Sequence, residues 1–153
     1  MTFTKPGQLV TGGLVAAAVV FLACGPVYGD LPPLPLLAGA TLLLIAAVDV
    51  VLAFVLRPRV QRKPGVEPVE ALTAARAVAL AKASSLAGAI MAGGWIGLLG
   101  YLLPMLGTVN AAQSDTVAAV IGLVSAAALI GAGLWLEHCL RNPDEPDEDD
   151  EEE

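Results

Sequence analysis

The stretch that decides the fold is LPLLAGATLLLIAAVDVVLAFVL, from Leu34 to Leu56, in which Asp49 is the only charged residue. A helix rises 1.5 Å per residue, so about 20 apolar residues are needed to cross a hydrocarbon core of roughly 30 Å. Backbone groups in lipid must satisfy their own hydrogen bonds, which a helix does within one segment. The stretch therefore predicts a membrane-spanning helix.

Three further runs of similar length and character lie at Gln8–Val27, Ala83–Leu103 and Thr116–Leu136. The chain is 56% hydrophobic and 15% charged, with a mean hydropathy of +0.74, whereas soluble domains carry about 25% charged residues. The alternating segments of about ten residues that a membrane β-barrel needs are absent from the sequence. We predict an all-α, integral membrane four-helix bundle with antiparallel neighbours.

Prolines and caps set the predicted boundaries. The prolines of the first outer turn favour a tight connection, which predicts that the first two helices pack side by side. Pro68 suits a first helical turn, with Glu67 as the cap, and Pro104 ends this third helix. Ser114 or Asp115 is the expected cap of the fourth helix. The predicted segments are an N-terminus (1–7), a first span (8–28), an outer loop (29–33), a second span (34–56), a basic loop (57–67), a long helix with the third span (68–103), an outer loop (104–115), a fourth span (116–140) and a tail (141–153).

Basic residues indicate how the chain is threaded, because short cytoplasmic loops carry the excess of Lys and Arg. All eight fall on one side of the predicted membrane: Lys5, Arg57, Arg59, Arg62, Lys63, Arg76, Lys82 and Arg141. We therefore predict a multi-pass protein of a bacterial plasma membrane with both termini in the cytoplasm.

The C-terminal tail DEPDEDDEEE, residues 144–153, holds nine acidic residues and accounts for the formal net charge of −7. Such a run is typical of a disordered, solvated segment. The alternative is a contact for a basic partner surface or a divalent ion, although a linear run of carboxylates without glycine turns is a poor calcium site.

Small residues recur every four positions on the third helix and indicate a packing face, which contains Ala81, Ser85, Ala89, Gly93 and Gly97. Lipid offers no hydrophobic drive for helix association, so close backbone approach is what holds such helices together. We expect this face to pack within the bundle. A homodimer through the same face is the alternative.

Asp49 is the most informative polar residue. Its helical face includes Ala46 and Ala53, which predicts that the carboxyl points into the bundle, and an intramembrane charge is expensive. Lys82 enters from the same side, so an Asp49–Lys82 salt bridge that locks two helices is one interpretation. A proton or ion relay is another, and a contact with a partner's helix is a third. Arg76, Glu137 and His138 lie at comparable depth and complete a candidate polar cluster with Asp49 and Lys82.

The stretch WLEHCL, residues 135–140, contains the only histidine and one of the two cysteines. Adjacent helical residues point about 100° apart, so Glu137, His138 and Cys139 cannot converge on one site. A zinc site needs three or four ligands, and a Cys–His nucleophile needs the two side chains to face each other. We predict no metal, no cofactor and no enzymatic activity, and we expect the two cysteines to be too far apart to pair.

The segments AARAVALAKASSLAGAIMAGGWIGLLGYLLP and LWLEHCLRNPDEPDED resemble actinobacterial membrane proteins grouped as domain-of-unknown-function family 3180. The resemblance covers the whole chain and implies a small four-span protein, often encoded near folate-biosynthesis genes. It implies no catalytic or binding residues.

Our leading hypothesis is a non-enzymatic accessory or scaffold subunit with a membrane or cytoplasmic protein partner. The alternative is a small oligomeric transporter or channel component that uses Asp49 and Lys82, assembled through the Gly93–Gly97 face because four short spans rarely enclose an aqueous route. The sequence has no nucleic-acid motif, and the lipid bilayer is its expected environment.

Overall fold

The computed structural model describes residues 6–27, 36–60, 70–105 and 110–141. These residues form four α-helices: α1 (Pro6–Val27), α2 (Ala40–Val60), α3 (Ala71–Leu102) and α4 (Asn110–Cys139). Short 3₁₀ turns, Leu36–Gly39 and Leu103–Met105, precede α2 and follow α3. All four helices are long and apolar enough to span a membrane, which confirms the predicted fold class of a four-helix membrane protein.

Helix α2 ends later than predicted. It continues to Val60, so Arg57, Pro58 and Arg59 belong to its last turn rather than to the predicted loop 57–67. Proline lacks the N–H that would bond the preceding turn, but a helix end tolerates the loss of one such bond. The result is that Arg57 projects from a helix instead of a loop.

The starts of α3 and α4 also differ from the predictions. Glu70, with extended backbone dihedrals, precedes Ala71, and the predicted cap Glu67 with Pro68 lies outside the described residues. The prediction that Ser114 or Asp115 caps α4 is wrong, because the helix begins at Asn110 and Asp115 is buried within it. The residues after Asn110 are Ala, Ala and Gln, good helix formers that extend the helix backwards.

Helix α3 is the centre of the arrangement. It packs against α1 on one side and α4 on the other, while α2 packs mainly against α4 and makes a smaller contact with α3. Among the described residues, α1 and α2 share no comparable interface. The prediction that these two helices pack side by side is therefore wrong, and the reason lies in the glycines of α3.

Two glycines of α3 bring its backbone against that of α1. A Cβ atom on Gly93 would overlap the Gly13 carbonyl, and one on Gly97 would overlap the Ala17 carbonyl. Because residue numbers rise together along this contact, α1 and α3 run parallel. Backbones that approach this closely gain extensive van der Waals contact in lipid, so α1 is held by α3 and not by its neighbour in sequence.

Helices α3 and α4 run antiparallel, since residue numbers fall on one helix as they rise on the other. A Cβ on Gly88 would lie 3.1 Å from the Ala126 carbonyl oxygen, and one on Gly133 would lie 2.9 Å from the Ala81 carbonyl oxygen. The first residues of the small-residue stripe of α3 thus face α4, and its later residues face α1. Ala89, Gly93 and Gly97 lie on the part that faces α1.

Two apolar core clusters fill the interior. The larger lies around Trp95 of α3 and includes Cys24, Ala46, Leu129 and Ala132. The smaller lies where α2 ends and α3 begins, and comprises Ala53, Leu56, Ala77, Ala81, Leu136, Cys139 and Leu140. The two cysteines are free and belong to different clusters.

The Trp95 indole occupies the space left by Gly122, whose added Cβ would overlap the ring. We expect Gly122→Ala to lower the free energy of unfolding by about 1–3 kcal/mol, the usual penalty for overpacking. Heat denaturation in detergent measures the loss. Gly131→Ala on the same helix is the control, because nothing lies within 4 Å of its added Cβ. Equal shifts for both variants would exclude the Trp95 contact as the cause.

Candidate polar site

Asp49 is fully buried in the middle of α2. It lies between Ala46, which belongs to the larger core cluster, and Ala53, which belongs to the smaller one. The face of small residues on α2 therefore directs the carboxyl into the bundle, as the sequence predicts. By helical rise Asp49 is about 12 Å from Arg57 along the axis, so it lies well inside the span.

Two serines of α3 lie at the same level as Asp49, between Ala81 and Trp95. The Ser84 hydroxyl faces the Asp49 carboxyl, and the Ser85 hydroxyl donates a 3.0 Å hydrogen bond to the Lys82 carbonyl oxygen. Both serines are buried. Asp49, Ser84 and Ser85 form what we call the polar layer, which separates the two apolar clusters.

The polar layer leaves the Asp49 carboxyl unsatisfied. Neither of its oxygens has a hydrogen-bond partner, although the Ser84 hydroxyl faces the carboxyl. The predicted Asp49–Lys82 salt bridge is thus not a hydrogen-bonded pair in the structure, and Lys82 is only half-buried. Buried polar groups without partners are rare in proteins, which makes Asp49 the strongest candidate for a functional residue.

The other members of the predicted cluster are not brought to Asp49 as one site. Glu137 is buried near the end of α4, whereas His138 is exposed on the adjacent face and Cys139 is buried again. Arg76 is exposed on the first turns of α3. The divergence of Glu137, His138 and Cys139 follows from helical geometry, because successive residues on a helix point about 100° apart.

A second polar feature lies at the bundle end where α2 ends, α3 begins and α4 ends, which we call the basic end. The Arg57 guanidinium carbon is 6.0 Å from the centroid of the Trp135 ring. The His138 ring lies beside the Trp135 ring, and the two ring centroids are 6.2 Å apart. Arg57, Trp135 and His138 together form what we call the aromatic–basic column.

Sequence reasoning missed Arg57, Trp135 and Ser84 as site residues. The sequence predicts that Arg57 belongs to the basic loop 57–67, and it offers Trp135 only as part of WLEHCL. The spacing of Trp135 and His138, three residues apart, was an available signal because such residues are neighbours on a helix. Ser84 lies next to Ser85 and outside the small-residue stripe, so the stripe did not point to it.

An open apolar groove runs between α1 and α3. Its volume is about 320 Å³, and its lining residues are Leu9, Val10, Gly13, Leu14, Ala17, Ala89, Ala92, Gly93, Ile96 and Ile130. The floor of the groove is made by the close approach of Gly13 and Gly93. Ile130 of α4 also lines the groove, so α4 borders it as well.

The chemistry within reach of the polar layer is limited to a carboxyl and hydroxyl groups. Across the part of the chain that the structure describes, no group of three or more His, Cys, Asp or Glu side chains could hold a metal ion. A lone carboxyl in an apolar interior can take up or release a proton, and it can pair with a cation that reaches it.

Comparisons with known proteins identify a family. The sequence pattern of the family described as "Protein of unknown function (DUF3180)" matches residues 9–144. Neither the comparison with curated proteins nor that with solved structures gives a significant match.

Proposed function

Because the chain belongs to the DUF3180 family and has four helices able to span a membrane, we propose that it is a non-enzymatic accessory or scaffold subunit. It lies in a bacterial plasma membrane, with both termini in the cytoplasm. Arg57, Arg59, Arg76 and Arg141 support this threading, because the ends of α2 and α4 and the start of α3 place them at one end of the bundle. The resemblance to actinobacterial proteins supports the same membrane.

The observation that carries the proposal is the groove between α1 and α3. Only a small share of α1 is buried within the chain, whereas nearly half of α4 is. Gly13 and Gly93 contact each other at the floor of the groove, so another helix packs against the exposed apolar side chains that border it, Val10, Leu14 and Ile96. Van der Waals contact of this kind is how helices associate in lipid. The occupant we propose is a transmembrane helix of a partner protein. The acidic tail, residues 144–153, is a second contact for a basic cytoplasmic surface.

We expect a groove-filling variant to lose its protein partner. Ala92→Phe places a ring in the groove, and Val19→Phe, on the exposed face of α1, is the control. Native mass measurement after mild detergent extraction should show a stoichiometric partner with wild type and Val19→Phe but not with Ala92→Phe. Thermal denaturation must show that both variants fold. A wild-type mass that contains no second protein contradicts the proposal, and truncation before Asp144 reports whether the tail contributes.

A second candidate function is a small transporter or channel component that uses Asp49 and Lys82. The fully buried, unsatisfied Asp49 carboxyl favours it. The dimer that this function was expected to need cannot form through Gly93 and Gly97, because α1 covers that face. A transporter must therefore assemble through another surface. For this reason we place the transporter function second to that of an accessory subunit.

Proton flux separates the two functions. In liposomes with an imposed membrane potential and an internal pH dye, a proton-conducting protein should acidify the lumen faster than empty vesicles do. Asp49→Asn should abolish that flux and Lys82→Met should reduce it. If the proton flux equals that of empty vesicles, a proton-coupled transporter is excluded and the accessory subunit is the function that remains.

A further inference from the structure

The aromatic–basic column lies on the outer surface between the ends of α2 and α4. Arg57 and His138 are exposed, and Trp135 is 44% exposed. Trp135 is near both of the others: its ring centroid is 6.0 Å from the Arg57 guanidinium carbon and 6.2 Å from the His138 ring centroid. Three side chains from two helices thus meet at one exposed position.

The contact with Trp135 leaves the hydrogen-bonding groups of Arg57 available. A cation–π contact uses the charge of the guanidinium and the face of the ring, and it consumes no N–H donor. The planar fork of an arginine matches the oxygens of a phosphate bidentately. The ring therefore holds Arg57 in place without using its N–H donors.

The depth of the column matches that of lipid headgroups. Arg57 is the first basic residue after the apolar length of α2, and Trp135 lies in the last turns of α4. Tryptophan is enriched at the membrane–water interface, and basic residues at the ends of spans lie among the headgroups. The phosphates of the adjacent leaflet are accordingly within reach of Arg57.

The surface beneath the column is apolar and has a notch. Val50 lies two turns before Arg57 on α2, while Ala128 and Gly131 lie before Trp135 on α4; all three are exposed. A Cβ added to Gly131 would meet nothing within 4 Å. An acyl chain can therefore lie along the α2–α4 surface while its headgroup reaches the column.

We propose that Arg57, Trp135 and His138 form a binding site for an anionic phospholipid, with the phosphate on Arg57 and an acyl chain along Val50 and Gly131. Basic pockets between transmembrane helices bind anionic headgroups in this way. The site distinguishes anionic from zwitterionic lipids because a choline group would bring a second positive charge close to Arg57. It is separate from the α1–α3 groove and does not depend on the protein partner.

Native mass spectrometry with equal amounts of phosphatidylglycerol and phosphatidylcholine tests the site. Wild type should retain phosphatidylglycerol in preference to phosphatidylcholine. Arg57→Gln should reduce that preference about fivefold, the effect of one basic residue near an anionic surface. Trp135→Leu should also reduce it, because Arg57 loses its support. Arg76→Gln removes another exposed guanidinium at the basic end and should leave the preference unchanged.

Arg57→Lys keeps the charge but not the fork, so it should give an intermediate preference and also serves as the variant if Arg57→Gln fails to fold. Helix content and melting temperature check the fold of each variant. Equal losses in Arg57→Gln and Arg76→Gln would show diffuse attraction to the basic end and would overturn the site. A wild type that retains both lipids equally would overturn it as well.

Discussion

Replacing Gly93 with alanine is expected to separate α1 from α3 and to destabilise the bundle. An alanine in place of glycine ordinarily stabilises an exposed helix by about 1 kcal/mol. At Gly93 the added methyl group overlaps the backbone carbonyl of Gly13, and a backbone cannot rotate away as a side chain can. We expect a net loss of about 1–3 kcal/mol, and a complete loss of the α1–α3 interface with valine.

The melting temperature in detergent measures this effect. It is determined from the loss of the monodisperse species after heating. Gly94→Ala is the matched control, since its Cβ would lie 3.6 Å from a Val20 methyl group, an ordinary contact. This substitution adds the same methyl group to the same helix, and its effect on stability should be neutral or slightly favourable. If Gly93→Ala melts at the same temperature as Gly94→Ala, the close contact with α1 does not contribute to stability.

Replacing Asp49 with valine is expected to stabilise the protein. The carboxyl is fully buried, and neither oxygen has a hydrogen-bond partner. Removing an unsatisfied buried polar group recovers its desolvation penalty, about 1–3 kcal/mol. Valine is the apolar residue nearest in shape, and Asp49→Ala provides a second variant if the extra volume overpacks the layer. A residue that lowers stability where it lies is typical of a functional site.

Thermal denaturation of Asp49→Val, Lys82→Met and the double variant tests this expectation. Without a hydrogen-bonded pair, the two substitutions should be additive within about 0.5 kcal/mol. A strong coupling, or a large destabilisation by both Asp49→Val and Asp49→Ala, would show that a salt bridge with Lys82 forms in the membrane. Asp49 would then be structural, and the relay function would lose its basis.

The sequence predicted the spans more accurately than their ends. Each apolar run became a helix, because partition into lipid depends on the composition of one segment. The predicted second span ends at residue 56, whereas α2 continues to Val60. The predicted cap of the fourth helix is Ser114 or Asp115, whereas α4 begins at Asn110. Both errors arose from local stop and cap signals, which the helices extend past. Boundaries depend on neighbours that a local signal does not contain.

The candidate site was predicted in part. The burial of Asp49 follows from the alanines on its own helical face, so the sequence alone predicts it. The absence of a hydrogen-bonded pair with Lys82 depends on where α3 lies relative to α2, and Ser84 faces Asp49 instead. Spacing along a chain does not set the rotation of one helix against another.

By itself the sequence determined that this protein has four apolar helices and that Arg57, Arg76 and Arg141 flank the apolar segments, because each property belongs to single segments in contact with lipid and water. Only the tertiary structure decided that α1 packs on α3 instead of α2, and that Arg57 meets Trp135. The physical reason is that lipid is as apolar as the helices. Their association therefore depends on the shapes of the backbones, such as the fit of Gly93 against Gly13, and not on hydropathy.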